Sequence, residues 1–333
     1  LLVGCQQKTQ LPSVTSLDTN WSFRSMNSND WYPATVPGNI YSDLIDNKLI
    51  EDPFIGVNET KVQWVADSTW VYQTHFDVSS STLNKDHLQL HFEGLDTYAN
   101  VYLNDSLILS SNNAFRNYKI PVKKLISSRN TLAVHFAPTH YAEEIEKNKL
   151  DYTLPEGNRV FTRKAQFQYG WDWGPKLNTM GIWKEVSLQA WDDSRIENVY
   201  LRKDSYTEKE ARFTAIITLT SPPKESTSVQ VFADGQDFSL QIPTGKQTNQ
   251  FEIPITIEDP IFWWPHNLGT PHLYEVEVQL VQDGIVRDEV IVNHGVRNVS
   301  LIAEEDEHGQ SFYFDVNGIP VYMKGANYIP QHS

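Results

Sequence analysis

The residues best suited to chemistry stand in one short run, Tyr169-Gly170-Trp171-Asp172-Trp173-Gly174-Pro175. Two indoles flank a carboxylate, and two glycines and a proline punctuate the run, so it is a loop rather than a helix or strand. An indole offers a flat face to the C–H side of a pyranose, and a carboxylate accepts hydrogen bonds from two adjacent hydroxyls. The run therefore fits a sugar contact. It equally fits two Trp caps over the end of a β-sandwich, with Asp172 bonding nearby backbone amides. Arg163 and Lys164, just upstream, are placed to pair with Asp172 in either case.

A second aromatic stretch, Phe262-Trp263-Trp264-Pro265 followed by Gly269-Thr270-Pro271-His272-Leu273-Tyr274, reads as a structural turn into a strand, with the Trp pair packing between domains. The 10 His are scattered without metal-ligand spacing, and Cys5 is the single cysteine. There is no Gly-rich phosphate loop and no Gly-x-Ser-x-Gly elbow, so no metal, nucleotide or other cofactor is expected. Lys and Arg number 27 against 42 Asp and Glu, a net charge of −15 that repels a phosphate backbone and disfavours nucleic acid. No apolar run approaches the roughly 18 residues of a membrane-spanning helix.

The elements that must hold these loops follow from a period of two. Trp70, Tyr72, Thr74 and Phe76 share one face of a strand; so do Leu88, Leu90 and Phe92, and then Leu132, Val134 and Phe136. Helical candidates are few, Ile40 to Ile50 and Tyr141 to Leu150. A second series begins near Ile196, with Phe213, Ala215, Ile217 and Leu219 on one face and Tyr274, Val276, Val278 and Leu280 on another. Turn signals at Asn104-Asp105, Asp283-Gly284 and Asn317-Gly318 separate alternating strands. The class is all-β, with two consecutive antiparallel sandwiches, the second of immunoglobulin-like size but without the Cys and Trp hallmarks of that fold. After Asn317-Gly318, Val321 to Asn327 reads as a buried strand that opens a further domain, and the natural polypeptide is expected to continue beyond Ser333.

Three anchors together resemble glycoside hydrolase family 2, and within it the β-mannosidases. They are Glu93-Gly94-Leu95-Asp96 with Val101-Tyr102-Leu103-Asn104; Trp264-Pro265 with Leu273-Tyr274 and Gly295-Val296-Arg297; and Asn317-Gly318-x-Pro320 with Lys324-Gly325-Ala326-Asn327. The first and last are shared with galactosidases and glucuronidases, whereas the Gly-Trp-Asp-Trp-Gly-Pro loop is similar to that of the β-mannosidases. The resemblance implies a jelly-roll-like, sugar-binding-like sandwich over 16–194, an immunoglobulin-like sandwich over 195–303 and the first strands of a catalytic (β/α)8 barrel over 304–333. It places Trp171, Asp172 and Trp173 against the terminal mannose of a β-mannoside oligosaccharide, cleaved from the non-reducing end with retention and without a cofactor. Retaining glycosidases need two carboxyl groups roughly 5–5.5 Å apart. In this family both are glutamates on later barrel strands, so no catalytic residue is assigned within this chain, and Asp172 is not the nucleophile. The alternatives are a non-catalytic carbohydrate-binding protein of two sandwiches and another family 2 exo-glycosidase such as a glucosaminidase.

Leu1-Leu2-Val3-Gly4-Cys5 resembles the end of a bacterial lipoprotein signal peptide. That resemblance implies export, lipidation of Cys5 and a membrane anchor, with residues 1–15 as signal remnant and tether. Gln6-Gln7-Lys8 lacks an acidic residue, which points to the periplasmic side of the outer membrane.

Overall fold

The computed structural model describes residues 8–224 and 226–330. The Leu1–Cys5 motif, and with it the lipidation site, lies outside the described residues. The chain divides into two units, Ser13–Ala190 and Trp191–Tyr328, the second including the segment that ends at Pro12.

In the first unit, a six-stranded sheet runs in the order Tyr32–Pro33, Ser22–Ser25, Trp70–Asp77, Arg129–Phe136, Tyr98–Leu103, Ser106–Asn112. A four-stranded sheet runs Ser13–Ser16, Val186–Trp191, His87–Phe92, Tyr118–Pro121. Alternation decides which side chains meet in the core: Leu88, Leu90, Phe92, Leu132, Val134 and Phe136 are all at most 1% exposed. Helices sit between strands, at Ile40–Asp46 and Thr139–Lys147. Asn39 caps the first by accepting from the amides of Tyr41 and Ser42. Its buried Asp43 accepts from the Tyr72 hydroxyl at 2.7 Å and the Thr35 amide at 2.8 Å. Gly94 lets the chain pass against Trp183, since a Cβ there would lie 2.5 Å from the indole Nε1.

The second unit is a five-stranded sheet, ordered Lys8–Thr9, Ile285–His294, Tyr274–Gln282, Thr227–Ala233, Gln236–Ile242, over a three-stranded one, Ile196–Tyr206, Glu210–Leu219, Gln250–Glu258. Phe213, Ala215, Ile217, Leu219, Val276, Val278 and Leu280 are fully buried between them. Asp283-Gly284 and Asn317-Gly318 each take two successive positive φ angles, 51° and 71°, and 54° and 82°. That is the type I′ geometry whose twist matches antiparallel strands.

Two expectations are corrected. Residues assigned to a tether are in part sheet: Lys8–Thr9 runs parallel to Ile285–His294, and Ser13–Ser16 pairs antiparallel with Val186–Trp191. Val321 to Asn327 is not a buried strand. A hairpin of Tyr313–Val316 and Ile319–Val321 pairs instead with Val299–Ile302 in an antiparallel sheet, and Tyr322 beyond it is 84% exposed, because no second layer covers it among the described residues. No barrel is closed over 304–330. Trp263 and Trp264 lie against Gly295 and Gly269 respectively.

Candidate functional site

Gly170 opens the aromatic loop with a φ of 94°, which a side chain would strain. The next four residues close a miniature hairpin: the Trp171 amide donates to the Gly174 carbonyl at 3.1 Å, and the Gly174 amide returns to the Trp171 carbonyl at 3.3 Å. Asp172 and Trp173 form its two-residue tip. Trp171 is 51% exposed, with the Arg159 guanidinium 5.1 Å above its ring. Asp172 is exposed and has no hydrogen-bond or ion-pair partner among the described residues. Trp173 is half-buried and tilts onto Phe167, ring centroids 5.6 Å apart. The three residues singled out in the sequence are thus brought together, two presented outward and one turned into the fold.

Lys164 does not pair with Asp172. Its side chain is fully buried, and its ammonium meets Asp96 Oδ1 at 3.3 Å, Asn178 Oδ1 at 2.7 Å and the Thr179 carbonyl at 2.5 Å. The reason lies in backbone pairing: Asp96 and Gly181 exchange both amide–carbonyl bonds, at 2.9 Å each, which sets the Asp96 carboxylate beside the returning arm of the loop. Burial holds the Lys164 ammonium below the usual lysine range, and the Asp96 charge opposes that shift.

The two arms of the hairpin stand on this network. Gln168 on the outgoing arm donates to Asp96 Oδ2 at 3.4 Å. Tyr169 donates its hydroxyl to the buried Glu143 of the Thr139–Lys147 helix, which also accepts from Thr162 at 2.9 Å. Burial, reinforced by the Glu143 carboxylate, pushes the Tyr169 hydroxyl well above the usual tyrosine range, so it stays a donor. Asn178 on the returning arm donates to Thr139 at 2.9 Å. None of these partners was foreseen in the sequence, where Asp96, Glu143 and Lys164 are far apart and carry no shared local pattern.

The arrangement is a rigidly footed hairpin presenting an indole and a carboxylate whose four lone-pair positions are free to accept hydroxyls. No group of three or more His, Cys, Asp or Glu residues able to hold a metal ion occurs among the described residues, and no helix there is long and apolar enough to cross a membrane.

Two family models match in sequence. Residues 21–184 match the glycosyl hydrolase 2 galactose-binding domain-like family, and residues 194–297 match glycosyl hydrolases family 2. The chain is 32% identical over 329 residues to beta-mannosidase B of Aspergillus flavus, covering 94% of this chain and 39% of that protein. The corresponding protein of Aspergillus oryzae is 31% identical, again over 39% of its length. Among solved structures, a β-D-mannosidase from Dictyoglomus thermophilum superposes with a TM-score of 0.91 at 35% identity, covering 96% of this chain and 40% of that one. An exo-chitosanase from Amycolatopsis orientalis shares the fold, with a TM-score of 0.73 at 19% identity over 96% of this chain and 37% of its own. The chain thus spans about two fifths of the relatives it matches. With one family's models matching in order across both sandwiches, this chain belongs to glycosyl hydrolase family 2.

Proposed function

We propose that the chain is the amino-terminal part of a retaining exo-β-mannosidase that releases terminal β-linked mannose from non-reducing ends, and that its hairpin contributes substrate contacts. The likeness to proteins named as β-mannosidases supports the substrate class. The observation that carries the hairpin's role is the exposed Asp172 carboxylate without a partner, beside a half-exposed indole. An aspartate that capped the sandwich end would have backbone amides bonded to it. Asp172 accepts hydrogen bonds from two mannose hydroxyls, Trp171 covers an apolar sugar face, and Trp173 braces the tip on Phe167. The acid/base and nucleophile glutamates belong to a later part of the enzyme, so residues 1–333 alone release no mannose.

In the full enzyme, Asp172→Ala lowers kcat/KM for an aryl β-mannoside by about tenfold to a few hundredfold, since a charge-assisted hydrogen bond contributes roughly 1.5–3 kcal/mol. The melting temperature stays within a degree or so, about what a surface substitution gives. A large drop in melting temperature with kcat/KM intact would refute the hairpin's role.

We also propose that Cys5 is lipidated after export and tethers the protein to the periplasmic side of the outer membrane, on the strength of the Leu-Val-Gly-Cys motif. Mass spectrometry of the native amino-terminus tests this, and an unmodified Cys5 thiol would remove it.

A further inference from the structure

On the returning arm of the hairpin, Pro175 follows Gly174 and has no amide hydrogen, so the first free backbone donor after the tip belongs to Lys176. Its amide donates to Glu59 Oε1 at 2.7 Å, and its carbonyl accepts from Gln63 Nε2 at 2.9 Å. Glu59 lies 117 residues before Lys176 in the chain, and Gln63 lies 113 before it. Both main-chain groups of one residue are thus met by side chains from a distant segment, as a neighbouring strand would meet them with its backbone. The two side chains come from adjoining short elements, Asn58–Lys61 and Gln63–Val65, and Gln63 Nε2 also donates to the Glu59 carbonyl at 2.8 Å. They form a linked pair.

The place of Lys176 decides how the tip is aimed. Gly170 on the outgoing arm lies against it, since a Cβ there would stand 3.2 Å from the Lys176 Cβ. The outgoing arm is anchored at Tyr169, immediately before Gly170, through Glu143. Without the pair, the returning arm would first be anchored at Asn178, through Thr139. The tip would then turn about one close anchor rather than two.

Fold stability does not account for the pair. Lys176 is exposed and Glu59 and Gln63 are partly so, and water would serve the Lys176 amide and carbonyl if the side chains were removed. Ordering two long side chains also costs rotamer freedom. What the contacts supply is a fixed position, and a displacement of about 1 Å in a substrate-holding group can cost on the order of a hundredfold in rate.

We propose that Glu59 and Gln63 are positioning residues that clamp the returning arm, so that Trp171 and Asp172 stand where the terminal sugar meets them. This rests on the reading of the hairpin as a substrate contact. Steady-state kinetics of the full enzyme on an aryl β-mannoside tests it. Removing both side chains, Glu59→Ala with Gln63→Ala, lowers kcat/KM about tenfold, while the melting temperature stays within about two degrees. Glu59→Ala alone lowers it less, and Glu59→Gln, which keeps a carbonyl oxygen to accept the Lys176 amide, recovers most of that loss. In a background already carrying Trp171→Ala and Asp172→Ala, removing the clamp costs less than about twofold, because the groups it aims are gone. If Asp172→Ala lowers kcat/KM but the clamp variants match the parent, the proposal is overturned and the hairpin's role stands. It is also overturned if the clamp costs as much in the background without the tip side chains, or if its removal lowers the melting temperature by many degrees. If Trp171→Ala and Asp172→Ala themselves leave kcat/KM intact, the hairpin's role fails and the clamp with it.

Discussion

The chain has two aromatic loops of similar composition, and they use their side chains in opposite ways. In the second unit, Trp263 donates its backbone amide to the Val296 carbonyl at 2.9 Å, and its own carbonyl accepts from Asn317 at 3.0 Å. Arg297 lies 4.5 Å above its ring, and Trp264 presses on Gly269. In the first unit, Trp171 projects from a hairpin tip and Asp172 bonds to nothing among the described residues. Aromatic content alone therefore does not distinguish a brace from a binding loop. The distinction lies in whether the polar capacity of the loop is satisfied within the fold.

The hardest test of that contrast is at the hairpin's foot. Asp96→Ala leaves the Lys164 ammonium buried without its carboxylate, and is expected to destabilise the first sandwich by about 3–5 kcal/mol in urea unfolding. A loss below about 1 kcal/mol would mean the foot is not rigid. Next come the two tryptophans. Trp263→Ala should lower stability by about 2 kcal/mol, roughly half the loss from a fully buried indole, whereas Trp171→Ala should lower it by less than about 1 kcal/mol. Equal losses would erase the difference between brace and binding loop.

The mildest test compares aspartates. Unlike Asp172, Asp43 is engaged within the fold, and burial pushes its carboxyl up to about 6 despite the hydrogen bonds from Thr35 and Tyr72 that favour ionisation. Its folded pKa exceeds the ordinary 3.8, so the folded state holds the proton more tightly. The stability it contributes is therefore present in full below about pH 3.8 and is lost as pH rises through about 6. Carboxyl ¹³C NMR should find its midpoint near 6, and a midpoint near 4 would show that the site admits water freely.

The parts of this molecule legible in the sequence are those set by neighbours along the chain. Leu88, Leu90 and Phe92 declare a buried face because side chains alternate, and Asp283-Gly284 declares a turn because both residues tolerate positive φ. That the hairpin's tip is a loop was readable for the same reason, from Gly170, whose φ is 94°. Its foot was not. Lys164 finds Asp96 through a bridge to Gly181, and sequence proximity to Asp172 pointed to the wrong carboxylate. Val321 to Asn327 misled differently: an apolar run reads as buried, but burial needs a second layer to cover it, and the described residues supply none.

Gly94 and Trp183 set a rule for how this sandwich can vary among relatives. With only 2.5 Å between the site of a Cβ on residue 94 and the indole Nε1, the two positions are not free to drift independently. The indole also donates to the Ala114 carbonyl at 3.0 Å, so exchanging it changes more than the contact with Gly94. In an alignment of homologues the pair should covary: wherever position 94 carries a side chain, position 183 should hold something smaller than tryptophan, and the Ala114 carbonyl should find another donor.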